Sequence, residues 1–189
     1  MKTLTIAAVL AALALPATLG AELPLGARAP DFATQTALDG RVAPFRLSAA
    51  LRRGPVVLYF YPKAFTQGCT LEARAFAEAH DQFAAAGAMV VGLSADDLPT
   101  LRRFSTEECR SKFAVGVATP AIVRSYDVAI KRAGLPPAAA ARMPANLTGR
   151  TSYVIARDGR VRMVHSDLDY RDHVRLTLDA VRALRAPRR

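Results

Sequence analysis

The segment Tyr61-Pro62-Lys63-Ala64-Phe65-Thr66-Gln67-Gly68-Cys69-Thr70-Leu71-Glu72 puts a cysteine at the expected start of a helix that follows an apolar run. Unpaired N–H groups and the positive end of the dipole favour an anion there. A thiolate is such an anion, and only the thiolate is a nucleophile. Thr66 lies three residues earlier, so its hydroxyl has the reach to turn back on the sulfur. Pro62 stiffens the approach and removes a donor. Taken alone, a cysteine at a helix start is as readily a small buried apolar residue. Both readings stand on these residues. The other cysteine, Cys109, follows 40 positions later. Two Cys are too few for a disulfide scaffold or a four-thiolate zinc site.

The elements that must position Cys69 are legible around it. Val56–Tyr61 is a continuous apolar, β-rich run after Gly54-Pro55, the pattern of a strand buried on both faces. Helical spacing runs from Thr70 to Ala86 and stops at Gly87. Ala88–Ser94 reads as a second buried strand. Leu98–Lys112 reads as a polar-faced helix with Leu101, Phe104 and Cys109 inward. Thr119-Pro120 caps a short helix through Tyr126. Asp39-Gly40 precedes weak alternation over Arg41–Leu47, and Asp158-Gly159 separates Thr151–Ala156 from Arg160–His165. Both pairs signal hairpins. Tyr170–Leu184 is a terminal amphipathic helix. Strand, helix, strand demands a parallel pair with a helical crossover, and the hairpin adds antiparallel strands. The expectation is an α/β chain of thioredoxin-like fold, a mixed central sheet flanked by helices on both faces.

The 189 residues suit one domain, and 51% hydrophobic with 22% charged residues excludes a disordered or collagen-like chain. Met1-Lys2, the apolar run Ile6–Leu15, Pro16 and the small residues Ala17–Ala21 have the order of a secretory signal peptide cleaved near Gly20 or Ala21. The expected organisation is a leader over 1–21 and one domain over 22–189. Such a chain is exported, to the periplasm or an equivalent compartment, with no stable membrane association after cleavage. The formal net charge is +10, but basic and acidic residues intermingle. The dense group Arg182, Arg185, Arg188 and Arg189 lies where a helix C-terminus favours cations. A solvated basic face is expected, and no nucleic-acid partner.

Pro62, Thr66 and Cys69 form Pro-x-x-x-Thr-x-x-Cys, which resembles the peroxidatic motif of peroxiredoxins. The flanking Gly-Cys-Thr-x-Glu-Ala is similar to the PrxQ or bacterioferritin-comigratory-protein branch. Further blocks agree in order: Ala29-Pro30-Asp31-Phe32, Gly92-Leu93-Ser94-Ala95-Asp96 and Arg150-Thr151-Ser152-Tyr153-Val154-Ile155. The resemblance spans about Gly26 to Leu184. It implies a thiol peroxidase without cofactor or metal. Cys69 would attack a hydroperoxide and become a sulfenic acid. Thr66, Arg150 and the Cys69 N–H would stabilise charge on the leaving oxygen. Glu72 would either orient Arg150 or serve only as a favourable acid in a first helical turn. A thioredoxin-like or small-thiol reductant is implied. Monomers are common in the branch, and a dimer stays open.

The chain departs from the pattern at one point. Many members of the branch carry a resolving Cys five positions after the first, where this chain has Arg74. Cys109 is the expected replacement. Two other roles stand open for it: an unreacting buried thiol in a one-Cys enzyme, and a permanent structural disulfide with Cys69. Cys-x-x-Cys or Cys-x-x-x-Cys chemistry would need a second Cys where Thr66 or Phe65 stands, which weakens a thiol–disulfide oxidoreductase or copper chaperone. A non-enzymatic binding protein would be insensitive to Cys69→Ser. His165 and His173 could approach one another, without metal-ligand spacing to a Cys. Ala129–Gly149 reads as a long excursion, either at the pocket mouth or as a surface insertion.

Overall fold

The computed structural model describes residues 22–132, 137–143 and 147–185. The expected leader over 1–21 lies outside the described residues, as do the terminal Arg188 and Arg189. Among the described residues seven strands form one sheet in the order β2-β1-β5-β4-β3-β6-β7. β1 (Ala33–Leu38) and β2 (Arg41–Arg46) form an antiparallel hairpin. Asp39 and Gly40 turn it, both at positive φ (52° and 69°), which is what a two-residue primed turn requires.

β3 (Val56–Phe60) is the centre of the site-bearing half. It pairs parallel with β4 (Met89–Ser94) and antiparallel with β6 (Thr151–Ile155). All five residues of β3 are buried. Val57, Tyr59 and Tyr61 face one apolar cluster, with α2 (Gln67–Glu78), α3 (His80–Ala85), α4 (Leu98–Glu107) and α7 (His173–Arg185). Val56, Leu58 and Phe60 face the other, with α1 (Leu47–Leu51) and α5 (Pro120–Tyr126). The alternation of a strand thus builds two cores, and helices cover both faces as expected. Within the first core Tyr59 stacks on Phe76 with ring centroids 4.5 Å apart.

Three boundaries differ from expectation. The helix after Cys69 is two helices, broken at Ala79, where φ and ψ are −84° and −1°. The second piece lies against β4 and α7, and no Gly or Pro marks the break. α4 ends at Glu107 rather than at Lys112, so Cys109 lies past the helix. The cause is a turn in which Arg110 and Ser111 both take positive φ (49° and 55°). That turn sends the chain back into β5 (Ala114–Val117), a short strand with no clear signal in the sequence. β5 pairs with β4 and β1 and joins the two halves of the sheet. The excursion over 129–149 holds α6 (Pro137–Arg142) and starts and ends at a bridge between Ala129 and Thr148. β6 and β7 (Val161–Ser166) form the expected second hairpin. No described helix is long and apolar enough to cross a membrane.

Candidate active site

Cys69 is the third residue of α2, inside its first turn, and only 2% exposed. Thr66 is the N-cap residue, and its carbonyl accepts the Thr70 N–H at 2.8 Å. Its hydroxyl donates to the Lys63 carbonyl at 2.8 Å. The sequence expectation was a hydroxyl turned back on the sulfur. Here its proton is committed to Lys63 and only its lone pairs are free. Phe65 stands at φ 62°, a conformation that costs a non-glycine residue about 1–2 kcal/mol. It is held by an edge-on contact with Phe104 (5.2 Å between centroids) and by Arg103 over its ring at 5.1 Å.

The pairing of β3 with β6 brings in the arginine. Phe60, the last residue of β3, is opposite Thr151, so Arg150 arrives at the C-terminal end of β3, where the Cys69 loop begins. Its Nη2 donates to Cys69 Sγ at 3.5 Å. Its Nη1 donates to Glu72 Oε2, and its Nε to the Leu168 carbonyl at 2.9 Å. One planar group thus reaches α2 twice and the β7–α7 loop once, a task that suits a guanidinium fork. Gly68 makes room: a Cβ there would stand 3.2 Å from Arg150 Nη2.

Glu72 is fully buried. Burial pushes its carboxyl up to about 8, although Arg150 pulls it down by charge and hydrogen bond. Burial pulls Arg150 down, but Glu72 and Cys69 outweigh it and the guanidinium is held above its ordinary range. The structure therefore brings together Cys69, Glu72 and Arg150, with Thr66 capping their helix. Pro62 opens the loop and is half-buried.

Cys109 belongs to the same apolar cluster as Cys69, on the same face of the sheet, with Phe104 and Phe113. Both thiols are free and buried. Burial pushes the Cys109 thiol well up. Among the described residues no group of three or more His, Cys, Asp or Glu is placed to hold a metal ion.

Several supporting residues escaped the sequence analysis. Asp96 accepts the Ala64 N–H at 2.7 Å and the Ser94 hydroxyl at 2.8 Å, which pins the loop before Cys69. The Thr148 hydroxyl donates to the Tyr61 carbonyl at 2.6 Å. Asp96 lies in one of the blocks that carried the resemblance, but nothing local showed its partner. His165 and His173 do approach, 4.6 Å between centroids, and His173 is fully buried. A cavity of about 210 Å³ lies beside Arg150, walled in part by Val128, Ile130, Lys131 and Leu168. The start of the long excursion therefore lines a pocket, although Cys69 is not among its walls.

Residues 25–164 match the AhpC/TSA family. The chain belongs to that family. Among AhpC/TSA relatives, a putative chloroplastic peroxiredoxin Q of Oryza sativa subsp. indica is 31% identical over 178 residues, 90% of this chain and 75% of the relative. A putative peroxiredoxin of Mycobacterium tuberculosis is 33% identical over 149 residues, 78% of this chain and 91% of the relative. The crystal structure of the peroxidoxin BcpB from Mycobacterium tuberculosis superposes with a TM-score of 0.71 at 31% identity, covering 86% of this chain and 98% of that one. This AhpC/TSA member is a thiol-dependent peroxidase with a thioredoxin-like fold.

Proposed function

We propose that Cys69 is the peroxidatic nucleophile and that Arg150, Glu72 and Thr66 serve it. The observation that carries this reading is the guanidinium contact at 3.5 Å from a sulfur in the first turn of a helix. The thiolate attacks the terminal oxygen of a hydroperoxide. The S–O bond forms as the O–O bond breaks, and the electron pair leaves on the distal oxygen. That oxygen takes a proton and departs as water or an alcohol, leaving a sulfenic acid at Cys69. The Thr66 oxygen accepts from the peroxide hydroxyl, while Arg150 and the Cys69 N–H face the developing charge.

Cys109 then condenses with the sulfenic acid to form a disulfide and release water. Shared membership of one apolar cluster supports this assignment. Because both thiols are buried, the first turn of α2 and the turn after α4 must open. The depth of Cys109 and its raised pKa favour a second reading, a one-Cys cycle closed by an outside thiol. A thioredoxin-like dithiol is the proposed reductant. The order of residues 1–21 supports export to the periplasm or its equivalent, which N-terminal sequencing of the secreted or periplasmic protein tests.

The deciding experiment is intact mass after about one equivalent of hydrogen peroxide, with Cys69→Ser and Cys109→Ser in parallel. Loss of two hydrogens in the parent and in neither variant supports the two-Cys cycle. Gain of oxygen on Cys69, unchanged by Cys109→Ser, supports the one-Cys cycle. No rapid change removes Cys69 from the chemistry.

A further inference from the structure

Behind the Glu72–Arg150 pair lies a buried polar cluster that the chemistry above does not use. Glu72 Oε2 is taken by Arg150, but Oε1 is buried with no hydrogen-bond partner. Across from it, at 3.8 Å, stands Nδ1 of His173, the first residue of α7. The His173 ring is held at both nitrogens. Nε2 lies 3.0 Å from the Asp167 carbonyl, and Nδ1 lies 2.8 Å from the Ser152 hydroxyl. Glu72, Ser152 and His173 are all fully buried.

The protons follow from these partners. A carbonyl oxygen only accepts, so Nε2 carries the hydrogen. A neutral ring then has a bare Nδ1, which accepts from Ser152. Burial keeps the ring neutral by pulling His173 down to about 4, against the Asp167 carbonyl, which pulls it up. His165 on β7 and Arg150 before β6 add to the downward pull, and Asp167 opposes them by charge. The N-terminal end of α7 also disfavours an added positive charge.

We propose that His173 is a positioning residue of the Cys69 site: through the Glu72 carboxyl group it holds the Arg150 guanidinium over the sulfur. A neutral ring offers Glu72 no competing cation. Its bare nitrogen and its bulk close the space behind Oε1, so the carboxyl group stays committed to Arg150. The β7–α7 loop fixes both ends of the arrangement. The Leu168 carbonyl holds Arg150, and its neighbour Asp167 holds His173. The inference rests on Cys69 being the reacting thiol.

The test uses His173→Ala and His173→Gln in the full chain, with two readouts. One is the pH dependence of Cys69 alkylation by iodoacetamide, with Cys109→Ser in the background. The other is kcat/KM for hydrogen peroxide. In His173→Ala the carboxyl group swings into the vacated space and Arg150 follows. The alkylation midpoint rises and kcat/KM falls about tenfold, in line with the cost of displacing a catalytic group by a fraction of an ångström. His173→Gln remains neutral and still reaches the Asp167 carbonyl, so it recovers at least half of the loss. A lower melting temperature with both readouts unmoved would show a merely structural residue and overturn the proposal, as would a glutamine variant no better than alanine. If His173→Ala does not fold, Ser152→Ala frees one anchor of the ring. A smaller shift in the same direction is then expected, and an unmoved midpoint overturns the idea. Absence of peroxidase activity in the unaltered protein would refute the functional reading instead, while the alkylation midpoint would still report on His173.

Discussion

Replacing Arg150 with Met isolates the electrostatic part of the site. The guanidinium stands 3.5 Å from the Cys69 sulfur. At an effective dielectric constant of about 20, a unit charge at that separation favours the thiolate by about 5 kcal/mol. Part is offset in the intact protein by whatever fraction of Glu72 is ionised, since burial pushes its carboxyl up to about 8 and only the anion repels the sulfur. Glu72 also changes when Arg150 is lost. Burial already pushes its carboxyl up to about 8 with the guanidinium beside it, so in Arg150→Met the remaining ionised fraction takes a proton and its repulsion disappears. The net loss is therefore smaller, about 10²- to 10³-fold in kcat/KM for hydrogen peroxide. Proton uptake also limits the damage to stability, which stays below the ~3–5 kcal/mol of an orphaned buried charge. Stopped-flow peroxide reduction, alkylation of Cys69 against pH and thermal melting measure the three consequences. Arg150→Lys keeps a charge but cannot reach Cys69, Glu72 and the Leu168 carbonyl together, so it falls between the parent and Met. An Arg150→Met protein within tenfold of the parent, with its alkylation profile unmoved, would refute the electrostatic reasoning.

Two further substitutions test the surroundings. Glu72→Gln bears on stability: the Glu72 carboxyl is raised from 4.5 to about 8 on folding, so the native state binds the extra proton in that window. Its contribution is complete below about pH 4.5 and is lost as pH rises toward 8. Urea midpoints at pH 5, 6.5 and 8 should fall less steeply in Glu72→Gln than in the parent, and equal slopes count against the raised carboxyl. Gly68→Ala gains up to ~1 kcal/mol of helix preference. It also places a Cβ 3.2 Å from Arg150 Nη2, so melting temperature should rise while kcat/KM for peroxide falls several-fold. An unchanged kcat/KM would show slack in the guanidinium.

The legible parts of this chain are those whose signal is local. The apolar run of β3, the turn pairs Asp39-Gly40 and Asp158-Gly159, and the Thr119-Pro120 start of α5 each carry their cause within a few residues. The break at Ala79 and the turn at Arg110 and Ser111 do not, because ordinary residues are forced there by the packing beyond them. The same division runs through the site. Cys69 at a helix start is local chemistry, and Arg150 was found through a resembling block. The geometry of Thr66 was missed because the Lys63 carbonyl competes for its proton. Asp96, Thr148, Ser152 and His173 were invisible as partners, since their contacts span between 21 and 101 residues of chain and exist only once the sheet has formed.

The closure of the excursion over 129–149 decides where this chain tolerates change in length. Its two ends are tied by the Ala129–Thr148 bridge and by hydrogen bonds from Ile130 to Leu147 and from Gly149 to Val128. Extra residues around α6 lengthen a loop already clamped at its base, and each doubling of such a loop costs only ~0.6 kcal/mol. A single residue added between Thr148 and Thr151 is a different event. It slips β6 against β3 by one position and exchanges the two faces of the strand. A reporter peptide could thus be spliced into 137–142 with the peroxide chemistry intact, whereas one added glycine beside Gly149 would silence it.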